Sequence, residues 1–145
     1  MILVDANILI YAYNPDSEHH EPAKRWLEEK LSEPGPIRLA WATILAFLRI
    51  TTNVHAFRTP FTTVEVTDII NNWFAQPCVD LLLPGERHWA ILQNLIKDAQ
   101  ATGPLVTDAH LAALAVEHGA TICTHDEDFS RFADLRLIDP CRAPA

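Results

Sequence analysis

The apolar positions along this chain change period repeatedly, and each change marks an element. Ile2, Leu3 and Val4 form a short continuous apolar run, which predicts a buried strand closed by Asp5. Residues 7–13 continue as a short apolar helix ended by Asn14-Pro15, and Asp16 and Ser17 offer N-caps for a helix over 22–31. In that helix Ala23, Trp26, Leu27 and Leu31 recur at helical spacing, while Glu21, Lys24, Glu28 and Lys30 face water. Pro34-Gly35-Pro36 breaks it, and 37–40 can form a second strand. Over 41–52 the spacing of Trp41, Ile44, Leu45 and Leu48 predicts a helix with one strongly apolar face. At about 100° per residue, Ala46, Arg49 and Asn53 share its other side, where a functional residue could emerge.

A loop over 55–60 carries Arg58. Residues 61–74 predict a helix with a stripe of Val66, Ile69, Ile70 and Trp73, readable either as core or as a dimer interface. A third strand over 79–83 is closed by Pro84-Gly85. An amphipathic helix over 86–101, built on Trp89, Leu92, Leu95, Ile96 and Ala99, ends at Gly103-Pro104. Leu105 and Val106 then lead into Thr107-Asp108 and an alanine-rich helix that Gly119 stops after His118. A fourth strand over 121–124, a short helix over 128–132 and a last strand over 135–138 complete the pattern. Strands alternating with helices argue for a parallel sheet covered on both faces. The expected organisation is one domain over 1–140 with a loose tail over 141–145.

Composition narrows the class. Of 145 residues, 49% are apolar and 21% charged, as in soluble globular chains. No apolar run approaches the roughly 18 residues of a membrane helix, and Met1 to Val4 lack the basic start of a signal peptide. A cytoplasmic protein with no membrane partner is expected. Cys78, Cys123 and Cys141 are an odd number without CxxC spacing, so buried thiols are expected rather than disulfides or a thiolate zinc site. The net charge of −8 argues against broad nonspecific binding to nucleic acid, but not against an enzyme that cuts it.

Three stretches carry the candidate chemistry: Leu3-Val4-Asp5, Val106-Thr107-Asp108 and Cys123-Thr124-His125-Asp126. Each brings a carboxylate to the end of apolar residues, and in an α/β sheet ligands bind beyond the carboxyl ends of the strands. Any one of these aspartates is readable as a turn former, and Asp108 as an N-cap. Asp128 can either complete the cluster or cap the short helix that follows. Together, carboxylates without histidine or cysteine partners suit Mg²⁺ or Mn²⁺, which prefer oxygen ligands. The four glycines make neither GxGxxG nor a P-loop, no GxSxG elbow occurs, and the seven histidines show no HExxH. His19, His20, His88 and His125 read as solvated or structural, and the four tryptophans as core. A phosphatase with Asp5 as nucleophile is disfavoured, because Asp5-Ala6-Asn7 lacks the second aspartate such sites carry.

The stretches 2–9, 105–112 and 124–129, with the helix and loop over 41–58, resemble PIN-domain proteins, specifically VapC-type toxins of bacterial toxin–antitoxin pairs. The resemblance implies a three-layer α/β/α sandwich with a central, mostly parallel sheet of four to five strands. It implies an Mg²⁺- or Mn²⁺-dependent endoribonuclease toxin, usually a homodimer, that hydrolyses RNA with metal-activated water and is neutralised by a VapB-type antitoxin. Asp5, Asp108 and Asp126 match the metal-binding and catalytic aspartates, with Asp128 a companion. Thr107 and Thr124 match supporting hydroxyls, and Asn7 falls in the same motif. Arg49, Arg58, Arg87 and Lys97 are candidates for RNA phosphates.

One position departs from the family. Where a Glu-Phe-Leu-Arg-like run is usual, this chain reads Ala46-Phe47-Leu48-Arg49. A missing carboxylate removes a ligand or an orienter of water, and such groups are worth orders of magnitude in activity. Ala46 therefore implies weakened or abolished cleavage. Three explanations fit: a deliberately disarmed variant, which the intact remaining motifs favour, a natural member of low activity, or a non-catalytic module that only engages its antitoxin.

Overall fold

The structure is a computed structural model that describes residues 1–142. Its strands are β1 (Ile2–Val4), β2 (Ile37–Leu39), β3 (Val79–Leu81), β4 (Thr121–Cys123) and β5 (Leu137–Ile138). They form one sheet in the order β3-β2-β1-β4-β5, with every neighbouring pair parallel. The helices are α1 (Ala6–Ala12), α2 (His20–Leu31), α3 (Trp41–Thr51), α4 (Thr63–Ala75), α5 (His88–Ala99) and α6 (Leu105–His118), with a 3-10 turn over Glu127–Arg131.

Strand alternation divides the core into two layers. Val4 and Cys123 point into a cluster with Ile8, Leu27, Phe47, Val66 and Trp73, built from α1 to α4. Their neighbours Leu3 and Ile122 point the other way, onto Leu111, Leu114, Phe129 and the alanines of α6. Helices thus cover both faces of the sheet, giving the expected α/β/α sandwich. The chain leaves β1 toward β2 and β3 on one side, then returns to place β4 on the other. The gap between the ends of β1 and β4 is therefore the topological switch point, where crevices form in open α/β sheets.

Several local expectations are corrected. The buried face of α3 is Thr43, Ile44, Phe47 and Thr51, whereas Trp41 and Leu45 are 53% and 59% exposed. Ile44 and Leu48 of the expected stripe do pack on the core, but the apolar count missed two buried threonines that satisfy their hydroxyls on carbonyls, Thr51 on Phe47 and Thr43 on Val4. Trp89 is likewise exposed rather than core, since α5 is only half-covered. On α4, Val66, Ile70 and Trp73 are buried within the chain, and Trp73 Nε1 donates to the Tyr13 hydroxyl at 3.1 Å. The central part of that stripe is core, not interface. Neither Asp16 nor Ser17 caps α2, which starts at His20 without a side-chain cap. Helix α5 ends through Gln100 in the left-handed region (φ 51°), before Gly103 is reached. Helix α6 starts at Leu105, so Asp108 lies in its first turn and is not its N-cap. Of the tail over 141–145, Cys141 packs against the first cluster, and 143–145 lie outside the described residues.

Candidate active site

At the switch point, the backbone N–H of Asp5 donates to Cys123 O at 2.9 Å, joining the ends of β1 and β4. Asp5 is the N-cap of α1, and its Oδ1 accepts from Ala6 N at 2.7 Å. Its other oxygen, Oδ2, accepts from the Thr124 hydroxyl at 2.8 Å. Thr124, 3% exposed, holds three groups at once. Besides donating to Asp5, its Oγ1 accepts from Asn7 Nδ2 at 3.2 Å and from Asp126 N at 3.0 Å. Asn7 Oδ1 in turn accepts from His125 N at 3.4 Å. A buried hydroxyl thus sets the orientation of one aspartate and the backbone of another.

Asp126 is the N-cap of the 3-10 turn, its Oδ1 accepting from Asp128 N at 2.9 Å. That cap fixes the Asp128 backbone beside Asp126. Asp108 reaches the same place from the first turn of α6, and Asp108, Asp126 and Asp128 each offer an oxygen within 4.8 Å of the others. The crowding shows in the acidities. The Asp108 carboxyl is pushed up to about 6, by burial first and then by the negative charges of Asp126, Asp5 and Asp128. Asp5 is raised as well, chiefly by burial, against the opposing hydrogen bonds from Thr124 and Ala6. Two carboxylates with raised pKa values at the carboxyl ends of β1 and β4 make this a functional-site candidate.

The structure brings Asp5, Asn7, Asp108, Thr124, Asp126 and Asp128 together. It separates others. Thr107 is exposed, and its hydroxyl has no partner among the described residues. Arg87 lies beside the end of α6, its guanidinium donating to Glu117 O at 3.0 Å, nine residues or about 13 Å along the helix from Asp108. Arg58 lines a cleft with Tyr13, Asn14 and Pro15, at the far end of α1 from Asp5. Arg49 is exposed in the last turn of α3. Ala46 is half-buried, one turn beyond Thr43, whose hydroxyl bonds Val4 O beside Asp5. Sequence reasoning missed Thr43, and its signal was a small polar residue amid apolar neighbours. It also missed Asp139, although Leu137-Ile138-Asp139 repeats the pattern of apolar residues ending in a carboxylate.

A parallel α/β/α sandwich with an acidic cluster at its switch point defines a class of α/β domains whose oxygen donors suit a hard divalent ion. The PIN domain family matches residues 2–135, and the chain belongs to it. It is 43% identical to ribonuclease VapC37 of Mycobacterium tuberculosis over 140 residues, covering 97% of each chain. It is 36% identical to ribonuclease VapC33 of the same species over 142 residues, covering 98% of this chain and 99% of the relative. Among solved structures, VapBC-1 of nontypeable Haemophilus influenzae superposes with a TM-score of 0.68 at 22% identity, covering 98% of this chain and 100% of that one. VapC20 of M. tuberculosis, described as a sarcin-ricin loop cleaving toxin, gives 0.65 at 18% identity, covering 94% and 99%.

Proposed function

We propose that this chain is an endoribonuclease toxin of a type II toxin–antitoxin pair, acting in the cytoplasm on RNA phosphodiesters with Mg²⁺ or Mn²⁺. The observation that carries the proposal is the convergence of Asp5, Asp108, Asp126 and Asp128 at the switch point, with Asp108 raised to about 6. Full-length relatives named as ribonucleases support it. The donor set fits a hard divalent ion: it is all oxygen, and a cation there would relieve the repulsion that raises Asp108.

When bound, such an ion supplies activation of water and neutralisation of phosphoryl oxygens. The remaining work belongs to the chain. Asp108, Asp126 and Asp128 offer oxygens close to one another, and Asp5, its two oxygens held by Ala6 N and the Thr124 hydroxyl, adds its negative charge beside them. Thr124 and Asn7 keep Asp5 and Asp126 from turning away, the supporting role that outer hydrogen bonds serve around metal ligands. Arg49 and Arg58 are free of ion pairs among the described residues and stand as phosphate contacts. Arg87 is a weaker candidate than these two, because Glu117 O already holds it. Solved structures of VapBC complexes support a VapB-type antitoxin as partner, and the resemblance to VapC-type toxins implies a homodimer.

Ala46 brings no carboxylate to this face of α3, and cleavage by this chain is weakened or absent accordingly. That one feature favours a second reading, a PIN-fold module that only binds its antitoxin. Cleavage of total RNA in Mg²⁺ or Mn²⁺, by this chain and by Ala46→Glu, separates the two. Cleavage by the glutamate form alone identifies a disarmed nuclease, and cleavage by both makes position 46 dispensable. Cleavage by neither, in folded protein that binds an antitoxin, overturns the enzyme reading.

A further inference from the structure

Beside the acidic cluster lies a second set of donors with different chemistry. Strands β4 and β5 end together, with Thr124 N donating to Ile138 O at 3.0 Å, so the residues that follow, His125 and Asp139, stand side by side. His125 Nδ1 meets Asp139 Oδ2 at 2.9 Å. The chain then turns sharply, Cys141 N donating to Asp139 Oδ1 at 2.9 Å, which carries the Cys141 side chain back toward the pair. One ligand atom from each of His125, Asp139 and Cys141 lies within 4.8 Å of the other two. All three are half-buried, and His125 and Asp139 line, together with Thr124 and Asp126, a cavity of about 510 Å³ that opens to solvent. The His19 ring packs against His125 at a tilt of 52°, with centroids 4.2 Å apart.

An imidazole nitrogen, a carboxylate oxygen and a thiol sulfur form a borderline-soft set, unlike the all-oxygen set of Asp108, Asp126 and Asp128. Tetrahedral zinc bonds of about 2.0–2.1 Å place a nitrogen and an oxygen ligand about 3.3–3.4 Å apart, so His125 and Asp139, hydrogen-bonded at 2.9 Å, open by about half an ångström to receive the ion. Sulfur, at a bond of about 2.3 Å, completes the set from a turn that already holds it within 4.8 Å of the other two ligand atoms. Three protein ligands leave a position open toward the cavity. Without an ion the Cys141 thiol is pushed up to about 11, by burial and by the Asp139 carboxylate. The same negative charge attracts a cation. Arg142 Nε lies 3.8 Å from Asp139 Oδ2, but its side chain is exposed and is also drawn to Glu127 at 3.2 Å. The absence of CxxC spacing hid this set, because its members meet only across two strand ends.

We propose that His125, Asp139 and Cys141 bind a zinc-like divalent ion, a site distinct from the acidic cluster. On binding, the thiol proton passes to solvent, sulfur bonds the metal, and the ion staples the end of β5 to β4 one residue from Asp126. The site stands apart from the nuclease proposal, and its failure leaves that proposal untouched.

Titration of the metal-free, reduced protein with Co²⁺ tests it. The expected result is a near-ultraviolet thiolate-to-Co²⁺ charge-transfer band that persists in Asp108→Asn, is displaced by Zn²⁺ and is unaffected by Mg²⁺. Cys141→Ser abolishes the band, and His125→Ala weakens Co²⁺ affinity by at least about tenfold. Circular dichroism confirms that each variant is folded, and Asp139→Asn replaces any that is not. The proposal is overturned if the folded protein shows no such band, or if the band survives Cys141→Ser and therefore belongs to Cys78 or Cys123. It is also overturned if all Zn²⁺ binding disappears in Asp108→Asn.

Discussion

Replacing Thr124 by valine tests whether one buried hydroxyl organises the acidic edge. Valine keeps the shape of the side chain, which is 3% exposed, and deletes a donor to Asp5 Oδ2 and an acceptor from Asn7 Nδ2 and Asp126 N. A hydrogen bond to a charged carboxylate contributes about 1.5–3 kcal/mol, and the two released donors add less because water reaches their half-buried residues. The expected loss is about 3 kcal/mol, or about 10 °C in Tm for a chain of this size. Thr124→Ser keeps the hydroxyl and removes one buried methyl, a loss of about 1 kcal/mol. Urea unfolding at pH 7 reads both values. At pH 4 the valine variant's deficit shrinks, because burial raises Asp5 toward protonation and the bond to its charged form counts for less. Valine equal to or more stable than serine at pH 7 would refute the assigned role.

Asp108→Asn probes the repulsion itself. In the fold this carboxyl keeps its proton up to about pH 6, whereas the unfolded chain loses it near 3.8. Between those values the folded state holds the extra proton, so its contribution is fully present below 3.8 and is lost as pH rises through about 6. Such a displacement is worth about 3 kcal/mol for a fully buried group, and water screening of this half-buried one leaves about 1 kcal/mol. Thermal unfolding in chelator should therefore find Asp108→Asn more stable than the parent by about 2–4 °C at pH 7.5, with the gain gone near pH 4. A variant less stable at both pH values contradicts the electrostatic origin. At the other end of the molecule, Thr62 and Glu65 form a reciprocal capping box on α4, with bonds of 3.1 and 3.0 Å. Thr62→Ala is expected to cost about 1 kcal/mol in chemical denaturation without changing metal or RNA binding, and an effect on either would tie α4 to the site.

Much of the fold was legible because short apolar runs and amphipathic segments alternate so regularly. The strand-end rule then led to Asp5 and Asp126, and the helix after Gly103 to Asp108. Failures came where burial depends on partners. Trp41, Leu45 and Trp89 fit apolar stripes by spacing, yet no element covers them among the described residues, while Thr43 and Thr51 are buried because carbonyls receive their hydroxyls. Element ends moved for the same reason, since Gln100 adopts a left-handed conformation that its residue type does not announce. At the site, residue types were readable and pairings were not. The contacts from Asn7 to Thr124 and from His125 to Asp139 span 117 and 14 positions, and only the register of β1, β4 and β5 brings them together.

The most direct test of the central claim is RNA cleavage by Ala46→Glu, measured beside the double variant that also carries Asp108→Asn, in Mg²⁺ and in chelator. The expected result is metal-dependent cleavage by the single variant that falls at least about a hundredfold when Asp108 loses its charge. Cleavage that survives both the chelator and Asp108→Asn would contradict the acidic cluster as the site of chemistry.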